Sequence, residues 1–437
     1  MQDLLVKMMW IKTGNKKISF NSIKLGTLFF ILFFSRYLEI QTLSNFIILG
    51  LSIPIVLKWV VNFKIEVNKN SFIFGCLCAS YVVLFVVNCL IISEHNSILF
   101  SNLRMTIYTY AFAIVLLDCL NSLDVGQWLK RRFNMIVLMW FANLFVLLMQ
   151  IQGNGFMIKS KWLEKNSFYE DQCSGLFGNS GTHELGYFIV FMTLFFLYYI
   201  ATLRDKTKKN FWLWILLISN ILMIIASTQN DNISIYLFVG IFVLVFFMNR
   251  IAGKYKDNRT VFTKYIKGVF YILMIAAVLL LIPQVREIIS DLFQYKLMKI
   301  LRFKSAGMIR GGNERLAIAY NALENGYGWL LGKGLGAASF YSSVSMEGFT
   351  HFGISSVGTI VYLCGIWVYI LQLLIWTSIV NRLSLSNEGC LKVVNFIVLM
   401  ALSMYSDIFS SLVSIGWILM SFALIGENRK IIQISSR

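Results

Sequence analysis

The chain has 437 residues, of which 58% are hydrophobic and only 14% charged. No water-soluble domain of this length can hide that much apolar surface, so lipid must be the solvent for most of it. The net charge of +18 would suit a nucleic-acid binder if it were clustered, but most Lys and Arg sit in short connectors between apolar runs, so nucleic acid is excluded as a partner.

The N-terminal stretch carries Lys7, Lys12, Lys16, Lys17 and Lys24 ahead of the first apolar run. No small-residue cleavage site follows, which argues against a removed signal peptide and places the N-terminus in the cytoplasm. The apolar runs are continuous (FIILGLSIPIVL, WILLISNILMIIA, YILMIAAVLLLIP) rather than alternating, so they predict helices and not a membrane barrel. About twelve segments reach the roughly 20 residues that a span requires. They lie near 24–41, 42–61, 71–92, 101–120, 133–151, 183–203, 210–228, 231–249, 266–283, 351–378, 391–407 and 410–426. Connectors such as RDKTKK (204–209) and Lys130-Arg131-Arg132 then fall on the inner side, as the excess of cations in cytoplasmic loops predicts. The expected architecture is an all-α polytopic protein of the cytoplasmic membrane. It divides into helices one to nine (1–283), one large extracytoplasmic loop (284–350) and helices ten to twelve (351–437).

Cysteine and histidine usage narrows the chemistry. The cysteines have no zinc spacing, and His95, His183 and His351 are the only histidines, too scattered for a metal cage. Gly332-Lys333-Gly334-Leu335-Gly336 lacks the spacing and the strand–helix context of a phosphate-binding loop. Neither a metal nor a nucleotide cofactor is expected.

Three places on the outer face carry polar chemistry. The first is CSGLFGNSGTHELGYF, a glycine turn opening the sixth span, with Thr182 as a fair N-cap and His183 and Glu184 in the first turn. The second is Gln229-Asn230-Asp231-Asn232, where Asp231 is a candidate ligand for sugar hydroxyls. The third is the long loop, which is basic on the outer side of the membrane: Arg286, Lys296, Lys299, Arg302, Lys304, Arg310, Arg315 and Lys333. Its first part, 285–304, reads as a basic amphipathic helix in the headgroup plane. After Gly311 and Gly312, Asn313 is a suitable cap for a helix from Glu314 to about Leu323, and Asn325-Gly326 is a matching stop. Arg315 then falls in the first turn, beside unpaired backbone N–H groups, where anions bind and an arginine fork grips phosphate. Beyond it, GYGWLLGKGLG offers backbone able to approach a ligand closely, with Tyr327 and Trp329 available to stack on sugar rings. His351 opens the tenth span, where an imidazole is a candidate proton carrier.

These features together resemble the O-antigen ligase and polymerase family, including Wzy-type polysaccharide polymerases. The resemblance rests on GLFGNSGTHELGYF, on Arg315 followed after ten residues by Gly326 and the glycine run to Gly336, and on the twelve-span plan with its loop between spans nine and ten. It implies a GT-C-like fold and a glycosyltransferase that joins polyprenyl-diphosphate-linked oligosaccharides at the outer leaflet, without nucleotide sugar or required metal. It further implies a chain-length regulator and a flippase as partners. In this reading Arg315 and Arg310 stabilise the departing diphosphate, and His351, His183 or Glu314 takes the acceptor proton. His183, Glu184, Asp231, Glu314, Tyr327, Trp329 and Lys333 hold substrate. The chain departs from the family at Asn230-Asp231-Asn232, where an arginine is common, and at Ser355, which takes the spacing to Gly365 that a ligase histidine would have. The departure favours a repeat-unit polymerase. A ligase and a lipid-linked oligosaccharide flippase are the alternatives.

Overall fold

A computed structural model describes residues 10–13, 16–35, 37–61, 69–154, 173–178, 181–229, 235–254, 263, 314–338 and 355–435. The protein is an all-α polytopic membrane protein. The described parts of most expected spans overlap helices, while 266–283 lies outside the described residues. Among the described residues, eight helices are long and apolar enough to cross a membrane, and two shorter apolar ones, Phe20–Phe34 and Gly389–Tyr405, accompany them. Arg310, His351, Asp231 and the 285–304 segment also lie outside the described residues.

One element was not expected. Strands β1 (Trp10–Thr13) and β2 (Lys16–Ser19) form an antiparallel hairpin with Lys12 opposite Lys17. The signal present in the sequence was the dipeptide Gly14-Asn15, a pair that favours two-residue hairpin loops. β2 passes directly into α1 (Phe20–Phe34).

The chain forms two compact units, each assembled from separated stretches of sequence. The first unit comprises Met1–Lys64, Ile107–Phe246 and Leu412–Ser435. It contains α1, α2 (Gln41–Val61), most of α4 (Ser97–Ser122), the short α5 (Val125–Arg131), α6 (Phe133–Met149), α7 (Thr182–Thr202), α8 (Lys206–Gln229) and α14 (Leu412–Ser435). Its core is aromatic. Trp417 of α14 is fully buried, with the rings of Phe188, Phe191 and Phe29 at 4.9, 5.0 and 5.3 Å. α14 approaches α1 and α4 through Gly416, where a Cβ would collide with Leu32 and crowd Phe112.

The glycine turn before α7 is held from α6. Asn143 Oδ1 accepts the Leu176 N–H (2.8 Å) and Gln150 Oε1 accepts the Gly175 N–H (2.8 Å), while Gln150 Nε2 donates to the Gly175 carbonyl (3.2 Å). Gly175 has φ +63°, and the amides supply partners that its backbone would otherwise lack in an apolar bundle. Gln150→Ala should therefore destabilise the protein by about 1–3 kcal/mol, read as a lowered unfolding midpoint in detergent. Gly181, not Thr182, occupies the cap position of α7, with no side-chain capping bond. Thr182 is the first helical residue, one position beyond the cap expected of it.

The second unit comprises Ile65–Thr106 and Phe247–Ser411, with the last two residues of the chain. Here lie α3 (Lys69–Val87), a π-turn at Asn88–Ile92, the C-terminal end of α9 (Ile235–Lys254), α10 (Glu314–Glu324), α11 (Ser356–Cys364), α12 (Ile366–Leu383) and α13 (Gly389–Tyr405). The tenth span, expected as one helix, is broken at Gly365 (φ +87°) into α11 and α12. The reason for the break lies in the candidate site.

Candidate functional site

α10 begins at Glu314 and places Arg315 in its first turn. The helix ends at Glu324, and Gly326 takes the left-handed conformation (φ +82°), with its N–H on the Leu323 carbonyl (3.1 Å). Arg315 precedes the buried residues Ile318, Ala319 and Ala322 along the same helix, and α10 packs chiefly on α11.

The chain next forms a 3-10 turn, Tyr327–Trp329, and a glycine strap, 330–338. The strap enters the break in the tenth span. The Lys333 N–H donates to the Tyr362 carbonyl and the Gly334 N–H to the Leu363 carbonyl, each at 2.9 Å. These are carbonyls that the interrupted helix leaves without intrahelical partners. Asn88 completes the join: its Nδ2 donates to the carbonyls of Leu331 and Leu363 (the latter 2.9 Å), and its Oδ1 accepts the Leu335 N–H (3.1 Å). Ser93 Oγ also accepts from Leu335 (2.7 Å), Asn96 donates to Gly336 (3.0 Å), and Asn102 donates to Leu335 and Ala338 (2.8 and 2.7 Å). The strap glycines thus serve the protein's own backbone. A Cβ at Gly332 would strike Leu363, one at Gly334 Ser93, and one at Gly336 Glu94.

Tyr327 and Lys333 come together. The Lys333 ammonium lies 4.6 Å from the centre of the Tyr327 ring and 6.0 Å from that of Tyr362. The two rings meet edge to face at 5.6 Å, and the Tyr327 hydroxyl donates to Asn321 of α10 (3.0 Å). The negative face of an aromatic ring attracts a cation held over it. Trp329 stays outside this cluster, 55% exposed, beside the still more exposed Leu330. His183 and Glu184 belong to the first unit, in the opening turn of α7, with Glu184 buried.

A group that sequence reasoning missed fixes the start of α11. Asp407, buried in the turn between α13 and α14, accepts from Ser356 Oγ (2.9 Å) and from Ser410 Oγ. Ser356 Oγ in turn accepts the Phe409 N–H (3.0 Å), and Ser355 Oγ caps Gly358 (3.2 Å). The signal was a lone carboxylate in a serine-rich turn between two apolar runs. In the same unit, Tyr81, Thr106, Gln372, Phe409 and Ser410 line a cavity of about 10 Å³, room for about one water. Among the described residues, no cluster of three or more His, Cys, Asp or Glu could hold a metal ion.

What the described residues offer chemically is one arginine at the start of a helix, a strap locked against a broken span, and an exposed indole beside it. No known family model matches the chain, and no curated protein is detectably similar to it.

Proposed function

We propose that the protein polymerises polyprenyl-diphosphate-linked oligosaccharide repeat units into a surface polysaccharide, O-antigen or capsule, at the outer face of the cytoplasmic membrane. The observation that carries this reading is the placement of Arg315 in the first turn of α10, on a helix tied through Tyr327 and Asn321 to a rigid strap. A guanidinium at a helix start, beside orphan N–H groups, suits a diphosphate. The reading also rests on the resemblance of the loop and glycine turn to the ligase and polymerase family.

In the proposed reaction the acceptor hydroxyl oxygen forms a bond to the donor's anomeric carbon as the carbon–oxygen bond to diphosphate breaks. The electron pair leaves with the polyprenyl diphosphate, whose growing charge Arg315 and Arg310 stabilise. The acceptor proton passes to a base, for which His351, His183 and Glu314 are the candidates. Holding both lipid-linked substrates in one leaflet supplies proximity.

Charge supports the proposed orientation. In the first unit, every described Lys and Arg lies toward the end at which the hairpin enters α1, whereas the opposite end carries Glu39 and Glu184. This asymmetry supports a cytoplasmic N-terminus.

The test is the surface glycan of a deletion strain, resolved on a gel. A single repeat unit on the acceptor is the expected result. Lipid-linked polymer beside a bare acceptor would assign ligation instead, and repeat units trapped at the inner leaflet would assign flipping.

A further inference from the structure

The first unit carries a second polar surface, which the proposed reaction does not use. Several described helix ends meet there. Ser22 of α1 bonds Trp128 of α5 and Arg132 (3.0 and 3.2 Å), Phe133 of α6 stacks on Tyr199 of α7 (3.6 Å), and Phe133 also meets Trp212 of α8 (4.6 Å). Lys24 of α1 pairs with Asp118 of α4 (3.0 Å), and Lys430 of α14 pairs with Glu427 (2.6 Å).

Beyond those two ion pairs, several cations of this end stand exposed. Lys130, Lys206 and Lys208 are exposed and form no ion pair among the described residues. Arg131, also exposed, reaches only the amide oxygen of Gln127 (3.4 Å). Asp124 and Asp205 are committed to capping, through the N–H groups of Gln127 and Thr207 (both 2.9 Å).

Tryptophans mark the depth of this surface. Trp59 and Trp214 are 48% and 62% exposed, and they lie within a few residues of Lys58 and Lys209 at the ends of membrane-spanning helices. Exposed indoles at helix ends sit where hydrocarbon gives way to headgroups. Cations at that level meet lipid phosphate before they meet any soluble partner.

We propose that this end of the first unit is a docking surface for anionic lipid headgroups, with α5 and the start of α8 as its contact elements. The partner is a phospholipid of net negative charge, such as phosphatidylglycerol. A zwitterionic lipid offers the same phosphate but cancels it with its own cation.

The full chain, purified in a neutral detergent, would be offered equal amounts of phosphatidylglycerol and phosphatidylcholine, and the retained lipid counted by native mass spectrometry. The expected result is preferential retention of phosphatidylglycerol that weakens as salt is raised. Each removed cation should lower it about fivefold, so Lys206→Gln with Lys208→Gln should lower it by more than tenfold. The paired Arg substitutions should restore retention, which separates charge from damage to the fold. Arg104→Gln, in the second unit, should leave retention unchanged. Equal retention of the two lipids, loss in the Arg pair as large as in the Gln pair, or full displacement by millimolar inorganic phosphate would each overturn the proposal. In the last case the cations would form a site for a free anion and not a lipid surface.

Discussion

Cells carrying Arg315→Ala are expected to lose long-chain surface polysaccharide, with the polymerisation rate down about 10²–10³-fold, while the amount of protein in the membrane stays at the wild-type level. The magnitude is that of removing one fixed donor aimed at charge that develops during bond breaking. Arg315→Lys should resemble Ala more than wild type, because an ammonium keeps the charge but cannot make the paired contacts of a planar fork. Helix formation gives no competing explanation, since Ala and Lys both favour helix and Arg315 lies in the first turn of an 11-residue helix. Glycan ladders on a gel, alongside immunoblots of the membrane fraction, read both quantities at once. Wild-type chain lengths from Arg315→Ala cells would remove this residue from the reaction.

The second large effect falls on Gly365. A Cβ there would land on the Leu330 carbonyl oxygen, and the residue sits at φ +87°. Gly365→Ala thus combines roughly 1–3 kcal/mol of backbone strain with roughly 1–3 kcal/mol of overpacking, about 4 kcal/mol in all. The strap would have to back out of the break, exposing the Tyr362 and Leu363 carbonyls that Lys333 and Gly334 now satisfy. A steep fall in the unfolding midpoint in detergent is the expected reading. Gly50→Ala is the control, because an added Cβ meets nothing within 4 Å there. Equal behaviour of the two variants would mean that the strap is not seated in the break.

Much of the architecture was legible because apolar runs of span length leave few alternatives in lipid. The bounds of α10 were legible too, from Glu314 at its start to the Asn325-Gly326 stop, where Gly326 takes the expected left-handed turn. The use of the glycines was not. GKGLG reads as backbone free to approach a ligand, yet its partners are Asn88, Ser93 and Asn102, more than 230 positions earlier in the chain. Local pattern carries no information about a partner that distant. A cue did exist in the amides themselves. Asn88 and Asn143 sit within apolar stretches, where an amide must find a hydrogen-bond partner, and each one holds a glycine turn. The break at Gly365 was hidden for a similar reason, because the residues on either side of it are as apolar as those of an unbroken span.

The strap also sets an order of events during synthesis. Asn88, Ser93 and Asn102 emerge from the ribosome long before 331–338 exists, since Leu335 lies 242 positions after Ser93. Until then these polar groups must be sheltered by water, by insertion machinery or by one another. The second unit therefore cannot close until its C-terminal half is made, and a nascent chain stopped short of the strap would present an unfinished seam to quality-control proteases.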